Sequence, residues 1–124
     1  MIKLSLNDIH FLVALLASEE APVTELKSEF DAWDVKAEII QEVLVGLMND
    51  GTIGITNLVE KEFKDFSLEE GIALTRNWLK FVASPYQLFL TGYGFTRWDV
   101  DDWGITTRRA KFLVFSNKGN SVRV

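Results

Sequence analysis

Apolar side chains recur at steps of three and four over two long stretches of this chain, and each stretch predicts a helix. In the first, Ile9, Leu12, Val13, Leu15 and Leu16 cover most of a helix circumference over residues 6–18, as in a helix at the middle of a core. Ser5 followed by Asp8 marks its start, and Glu19, Glu20, Ala21 and Pro22 its end. In the second, Ile39, Ile40, Val43, Leu44, Leu47 and Met48 set the period over residues 35–49, with Glu38, Gln41 and Glu42 on the other side. Asn49-Asp50-Gly51 stops that helix. Between the two, Leu26 and Phe30 predict a shorter helix over 24–31 with Thr24 as its N-cap. Asp31 to Asp34 is then a break, and either Asp would cap the helix that follows. Leu12, Leu16, Leu26, Ile40, Leu44 and Leu47 are expected to share one core.

Beyond Gly51 the period shortens. Thr52 to Thr56 alternates as a strand does, whereas 57–66 is polar, with Leu58, Phe63 and Phe66 its only anchors. Ser67 and Glu70 form a capping box before Ile72, Leu74, Trp78, Leu79 and Val82, so a fourth helix is expected to run to Ala83, closed by Pro85. Tyr86 to Leu90 predicts a strand, and Thr91 a cap for a short turn carrying Phe95 and Trp98. After an acidic connection over 99–104, Ala110 to Phe115 predicts a strand, turned back at 117–120 into a last strand over 121–124. The chain stops inside that strand, which fits a natural edge strand or a longer chain.

The total of 124 residues predicts one domain spanning 1–124. Cysteine is absent and His10 is the sole histidine, which excludes disulfide frameworks, Cys-zinc sites and thiol nucleophiles. Asn7, Asp8 and His10 interrupt the approach to the first apolar run, and Glu19 and Glu20 stand where a leader would be cleaved. The expectation is a cytoplasmic protein that does not cross a membrane. The net charge is −5, with a pI of about 4.8, which suits nucleic acid poorly. The charge is also unevenly placed. Residues 1–75 hold 15 acidic and 5 basic side chains, and residues 76–124 hold 3 and 8. The acids of the first part read either as plain solubility or as a face complementary to a basic protein partner.

Helix, short helix, long amphipathic helix and a strand directly after Gly51 resemble a winged helix-turn-helix domain. Leu90-Thr91 followed by Gly94 and Trp98 is similar to the passage from wing strand to helix in bacterial members of that family. The resemblance covers residues 6–98 and implies an α+β, winged-helix-like fold, with three N-terminal helices, a short antiparallel sheet and residues 57–83 inserted as a further helix between the wing strands. It also implies that the helix over 34–49 enters a DNA groove. The residues oppose that. Lys36 is its only basic side chain, while Glu38, Glu42 and Asp50 are acidic, and DNA affinity depends on Lys and Arg that displace counterions. A fold does not carry a function with it.

Arg97, Arg108, Arg109, Lys111 and Arg123, beside Tyr86, Tyr93 and Trp103, would supply a basic strip for phosphate, or simply a solvated outer face. Asp99, Asp101 and Asp102 cluster as hard-cation ligands do, but Trp103 stands where the next ligand belongs, so a capped loop is expected and no metal. Gly92 and Gly94 lack the third glycine and the Gly-Lys-Ser/Thr of a phosphate loop, and read as a tight turn. His10 has no nucleophile near it in sequence, and Glu69 and Glu70 are explained by helix capping. No catalytic residue and no cofactor is expected. Trp33 and Trp103, set in connections, are expected to be more exposed than Trp78, each as an interface anchor or as a plug at the rim of the core.

The leading expectation is a non-catalytic interaction domain of the bacterial immunity or antitoxin type. Glu25, Glu29, Glu38 and Glu42 would pair with a basic protein partner such as a nuclease toxin, and Trp33 would anchor the complex. The alternatives are a winged-helix transcription regulator that binds DNA as a dimer, and one domain of a larger protein.

Overall fold

The computed structural model describes residues 3–100 and 102–122. Helix α1 (Leu6–Ser18) starts at the expected capping box, in which Ser5 Oγ accepts from the Asp8 backbone and the Asp8 carboxylate accepts from the Ser5 N–H. It is buried on nearly every side, as its pattern demands. Helices α2 (Thr24–Ala32) and α3 (Ala37–Asn49) follow, and all six expected core residues are buried together.

Both expected caps between these helices are corrected. The N-cap of α2 is Val23, and that of α3 is Lys36, an extended residue that supplies no side-chain bond. Asp34 is instead the turn residue, with a left-handed φ of 57° that Asp tolerates better than most side chains.

The sheet is antiparallel, in the order β2-β1-β3, from β1 (Ile53–Val59), β2 (Glu62–Asp65) and β3 (Tyr86–Leu90). A two-residue turn joins β1 to β2, with Glu60 and Lys61 both at positive φ, the geometry that matches the twist of a hairpin. Residues 21–23 extend the sheet beyond β3 through the Val23 N–H on the Tyr86 carbonyl and the Leu88 N–H on the Ala21 carbonyl.

Where one inserted helix is expected, two stand. Helix α4 (Leu68–Arg76) opens with the Ser67–Glu70 capping box, breaks at Asn77, and resumes as α5 (Trp78–Phe81). Helix α6 (Gly92–Val100) follows β3 directly, with the Gly94 N–H donating to Thr91 Oγ1 at 3.0 Å.

The expected C-terminal strands are overturned. Residues 107–122 form helix α7 (Thr107–Val122), and Thr106 Oγ1 accepts from the Arg109 N–H near its start. Ala110 and Leu113, three apart, turn toward the core while Lys111 and Phe112 stay outside, so a helical spacing prevails over the strand-like composition of 110–115. Arg123 and Val124 lie outside the described residues. The result is an α+β fold, and among the described residues no helix is long and apolar enough to cross a membrane.

Candidate functional site

The four candidate carboxylates fall into two settings. Glu25 and Glu29 lie on α2, Glu25 exposed and Glu29 half-buried. Burial pushes the Glu29 carboxyl above its ordinary value. The Trp33 indole beside it pulls the other way, and the negative charges of Glu25 and Glu19 add to the rise. Glu38 and Glu42 are exposed on α3, where they border a surface groove of about 580 Å³ whose far wall is Thr75 and Arg76 of α4.

That groove exists because α4 lies close against α3. Gly71 makes the approach available: a Cβ there would stand 2.9 Å from Met48 Sδ. Gln41 then ties the two helices, donating from Nε2 to the Thr75 carbonyl at 2.8 Å. The outer face of α3, which a groove-reading helix would need free, is thus partly walled by the inserted segment.

Trp33 is not the exposed anchor expected. It is 9% exposed and belongs to the core, as is the buried Trp103, while Trp78 is the more open of the three. The spacing held the signal, because Leu26, Phe30 and Trp33 stand four and three apart on one face of α2. A side chain already buried in the free chain has little surface left to cover with a partner.

The expected basic strip is dispersed. Arg97 reaches across from α6 to the start of β1, where Nη1 meets Asp50 Oδ2 at 3.0 Å and Thr52 Oγ1 at 2.8 Å, and its guanidinium lies 4.4 Å from the Trp103 ring centre. Arg109 donates from Nη2 to Asp8 Oδ2 at 2.8 Å and from Nε to Oδ1 at 3.2 Å. These two arginines therefore fasten the basic half to carboxylates of the acidic half. Part of the charge asymmetry is spent inside the fold, at sequence separations of 47 and 101 that no local motif reports. Arg108 and Lys111 remain exposed, and Arg123 is outside the described residues.

The pair of Asp8 and Arg109 predicts an acid dependence. Burial alone would raise Asp8, but the bonds from Arg109 and Ser5 outweigh it and hold the carboxyl below its ordinary value. A depressed folded pKa adds stability above the unfolded value of about 3.9, and that stability is lost as pH falls through the folded value. Asp8→Asn should flatten this acid limb in chemical denaturation. Arg109→Met should cost about 1–3 kcal/mol at neutral pH, less than a wholly buried pair because Arg109 is 31% exposed.

His10 Nδ1 is engaged with the Leu6 carbonyl at 2.9 Å, and Glu70 with Ser67. Asp101 lies outside the described residues, and among those described no three metal-binding side chains come together. No family model matches the chain, and neither a curated protein nor a solved structure matches it.

Proposed function

We propose that this chain is a non-catalytic, cytoplasmic interaction domain of winged-helix type. In this reading it masks a basic protein partner, as an immunity or antitoxin-type inhibitor masks a nuclease toxin. Glu25, Glu29, Glu38 and Glu42 are the contact carboxylates, and the mechanism is occlusion of the partner's basic substrate surface. The exposed charges among them, Glu25, Glu38 and Glu42, set encounter rate and specificity more than affinity.

The order of elements supports the winged-helix part: β1 and β3 take the place of wing strands, residues 21–23 pair beside β3, and the inserted segment runs through β2, α4 and α5. The observation that carries the function is the face of α3. It presents two carboxylates, Glu38 and Glu42, against the single Arg76 across the groove, a net negative surface that suits a basic partner better than phosphate. Trp33 keeps only an internal role, beside Glu29.

Co-expression with the product of the neighbouring reading frame tests the reading. That product should be toxic alone and neutralised by this chain, and the double variant Glu38→Lys, Glu42→Lys should fail to neutralise it. A neighbour that is harmless, or is neutralised equally by the variant, contradicts it. The DNA-binding alternative predicts otherwise in a direct titration. Duplex DNA at about 0.15 M salt should bind no tighter than the ~10⁻⁴–10⁻⁶ M of non-specific contacts. Nanomolar, sequence-selective binding would favour the regulator instead.

A further inference from the structure

The face of the sheet turned away from α1 carries a second site. Along β1, Ile53 and Ile55 enter the core, so Gly54, Thr56 and Leu58 point to the opposite side. There Thr56 stands between its cross-strand neighbours Asp65 on β2 and Gln87 on β3. A cavity of about 170 Å³ opens over these three, lined also by Glu20, Phe63 and Phe89. Gly54 shapes it: a Cβ there would stand 2.4 Å from the Phe89 ring, so the missing side chain lets that ring lie across the strand. The Gln87 amide is held at the rim by the Glu20 carbonyl, at 3.4 Å.

Thr56 is the informative residue. It is only 5% exposed, and among the described residues its Oγ1 has no hydrogen-bond partner. Buried hydroxyls are almost always bonded, and one left without a partner calls for an explanation. Of the described buried atoms without such a partner, which include the Trp33 and Trp103 indole N–H groups and Arg97 Nε, Thr56 Oγ1 is the one whose residue lines this cavity, where a ligand would satisfy it. The surroundings choose between them. Glu20, Asp65, the Thr56 hydroxyl, the Gln87 amide, Leu88 and the rings of Phe63 and Phe89 form the lining, with no lysine or arginine among these described residues. Carboxylates answer a cation, aromatic faces attract one, and a planar guanidinium offers five donors to oxygens spaced about a pocket.

We propose that this cavity receives an arginine side chain of the basic partner, the guanidinium meeting Asp65 and Thr56 Oγ1 between the rings of Phe63 and Phe89. The proposal rests on the partner reading above and adds the anchor that Trp33 does not provide. Strand β2 is exposed at all four positions and, among the described residues, pairs only with β1, so its outer edge lies beside the cavity for the backbone that carries the arginine.

The test titrates isotope-labelled chain with the capped tripeptide Gly-Arg-Gly and with its citrulline counterpart, which keeps the shape and removes the charge. The arginine peptide should shift backbone amides at 54–56, 65 and 87–89 to saturation, and the citrulline peptide should not. Asp65→Asn, at an exposed position, and Thr56→Val should each weaken binding about tenfold or more, the worth of a hydrogen bond to a charged group. Thr56→Val should also melt no lower than the parent chain, because the hydroxyl it removes bonds nothing internally. Equal response to both peptides, shifts elsewhere, unchanged affinity in Asp65→Asn, or a lower melting point in Thr56→Val would overturn the proposal. No partner is present in this titration, so failure here leaves docking through Glu38 and Glu42 standing. Loss of that docking would equally leave arginine binding in place.

Discussion

Gly94→Ala should destabilise the chain by about 3 kcal/mol, the upper end of overpacking costs, and lower its melting temperature by roughly 10 °C. The added Cβ would lie 2.0 Å from the Thr52 carbonyl oxygen, a backbone atom that cannot swing aside as a side chain does. That carbonyl already accepts from the Thr91 N–H at 3.1 Å and from Thr91 Oγ1 at 3.2 Å. Thr91 Oγ1 in turn meets the Gly51 carbonyl and accepts from the Gly94 N–H. One turn further on, Arg97 bonds Asp50 and Thr52. To make room, α6 must back away from residues 50–52, and these bonds lengthen together. Gly46→Ala is the matched control. It sits inside α3 with nothing within 4 Å of its Cβ position, so there alanine should stabilise by about 0.5–1 kcal/mol. Thermal melts of the two variants should move in opposite directions.

Leu44→Ala should cost about 2–5 kcal/mol in denaturant unfolding. Leu44 is fully buried in α3, within the cluster that holds Leu12 and Leu16 of α1 and Leu26 of α2. Removing its isobutyl group takes away transfer energy and leaves a cavity that the surrounding close-packed helices, joined by short loops, do not close fully. Glu42→Ala, two residues earlier and exposed, should stay within about 0.5 kcal/mol. A Leu44→Ala variant as stable as Glu42→Ala would mean that the three N-terminal helices do not share one core.

Local signals are legible where two residues answer each other, and less so where a single cap residue stands alone, as at Thr24 and Asp34. Ser5 with Asp8 and Ser67 with Glu70 announced two helix starts, and the three-and-four spacing of 39–48 placed the buried side of α3. Leu90-Thr91-x-x-Gly94 announced the passage into α6, and its reason is now physical: a hydroxyl cap and a close approach to backbone. The hairpin of β1 and β2 was hidden because Glu60-Lys61 fills a turn normally written with Asn or Gly, and because all of β2 is exposed and shows no alternation. Helix α7 was hidden because Phe112, Leu113, Val114 and Phe115 suit a strand, while its tie to α1 is an arginine 101 residues from its carboxylate.

The candidate site divides in the same way. Exposed acids on α3 follow from the helical period, so Glu38 and Glu42 stand where the sequence places them. For Trp33, its place in a connection suggests exposure, whereas its spacing from Leu26 and Phe30 puts it inward, and the structure follows the spacing. The wall of α4 beside α3, and the cavity over Thr56, each need strands or helices far apart in the chain. No motif could disclose them.

Association kinetics between this chain and the neighbouring-frame product, followed as salt is raised, address the functional claim most directly. Docking through Glu25, Glu29, Glu38 and Glu42 predicts an association rate that falls steeply with salt, because exposed charges are screened beyond about 8–10 Å. It also predicts slower association, with little change in dissociation, for the variant Glu38→Lys, Glu42→Lys. An association rate indifferent to both salt and charge reversal would contradict it.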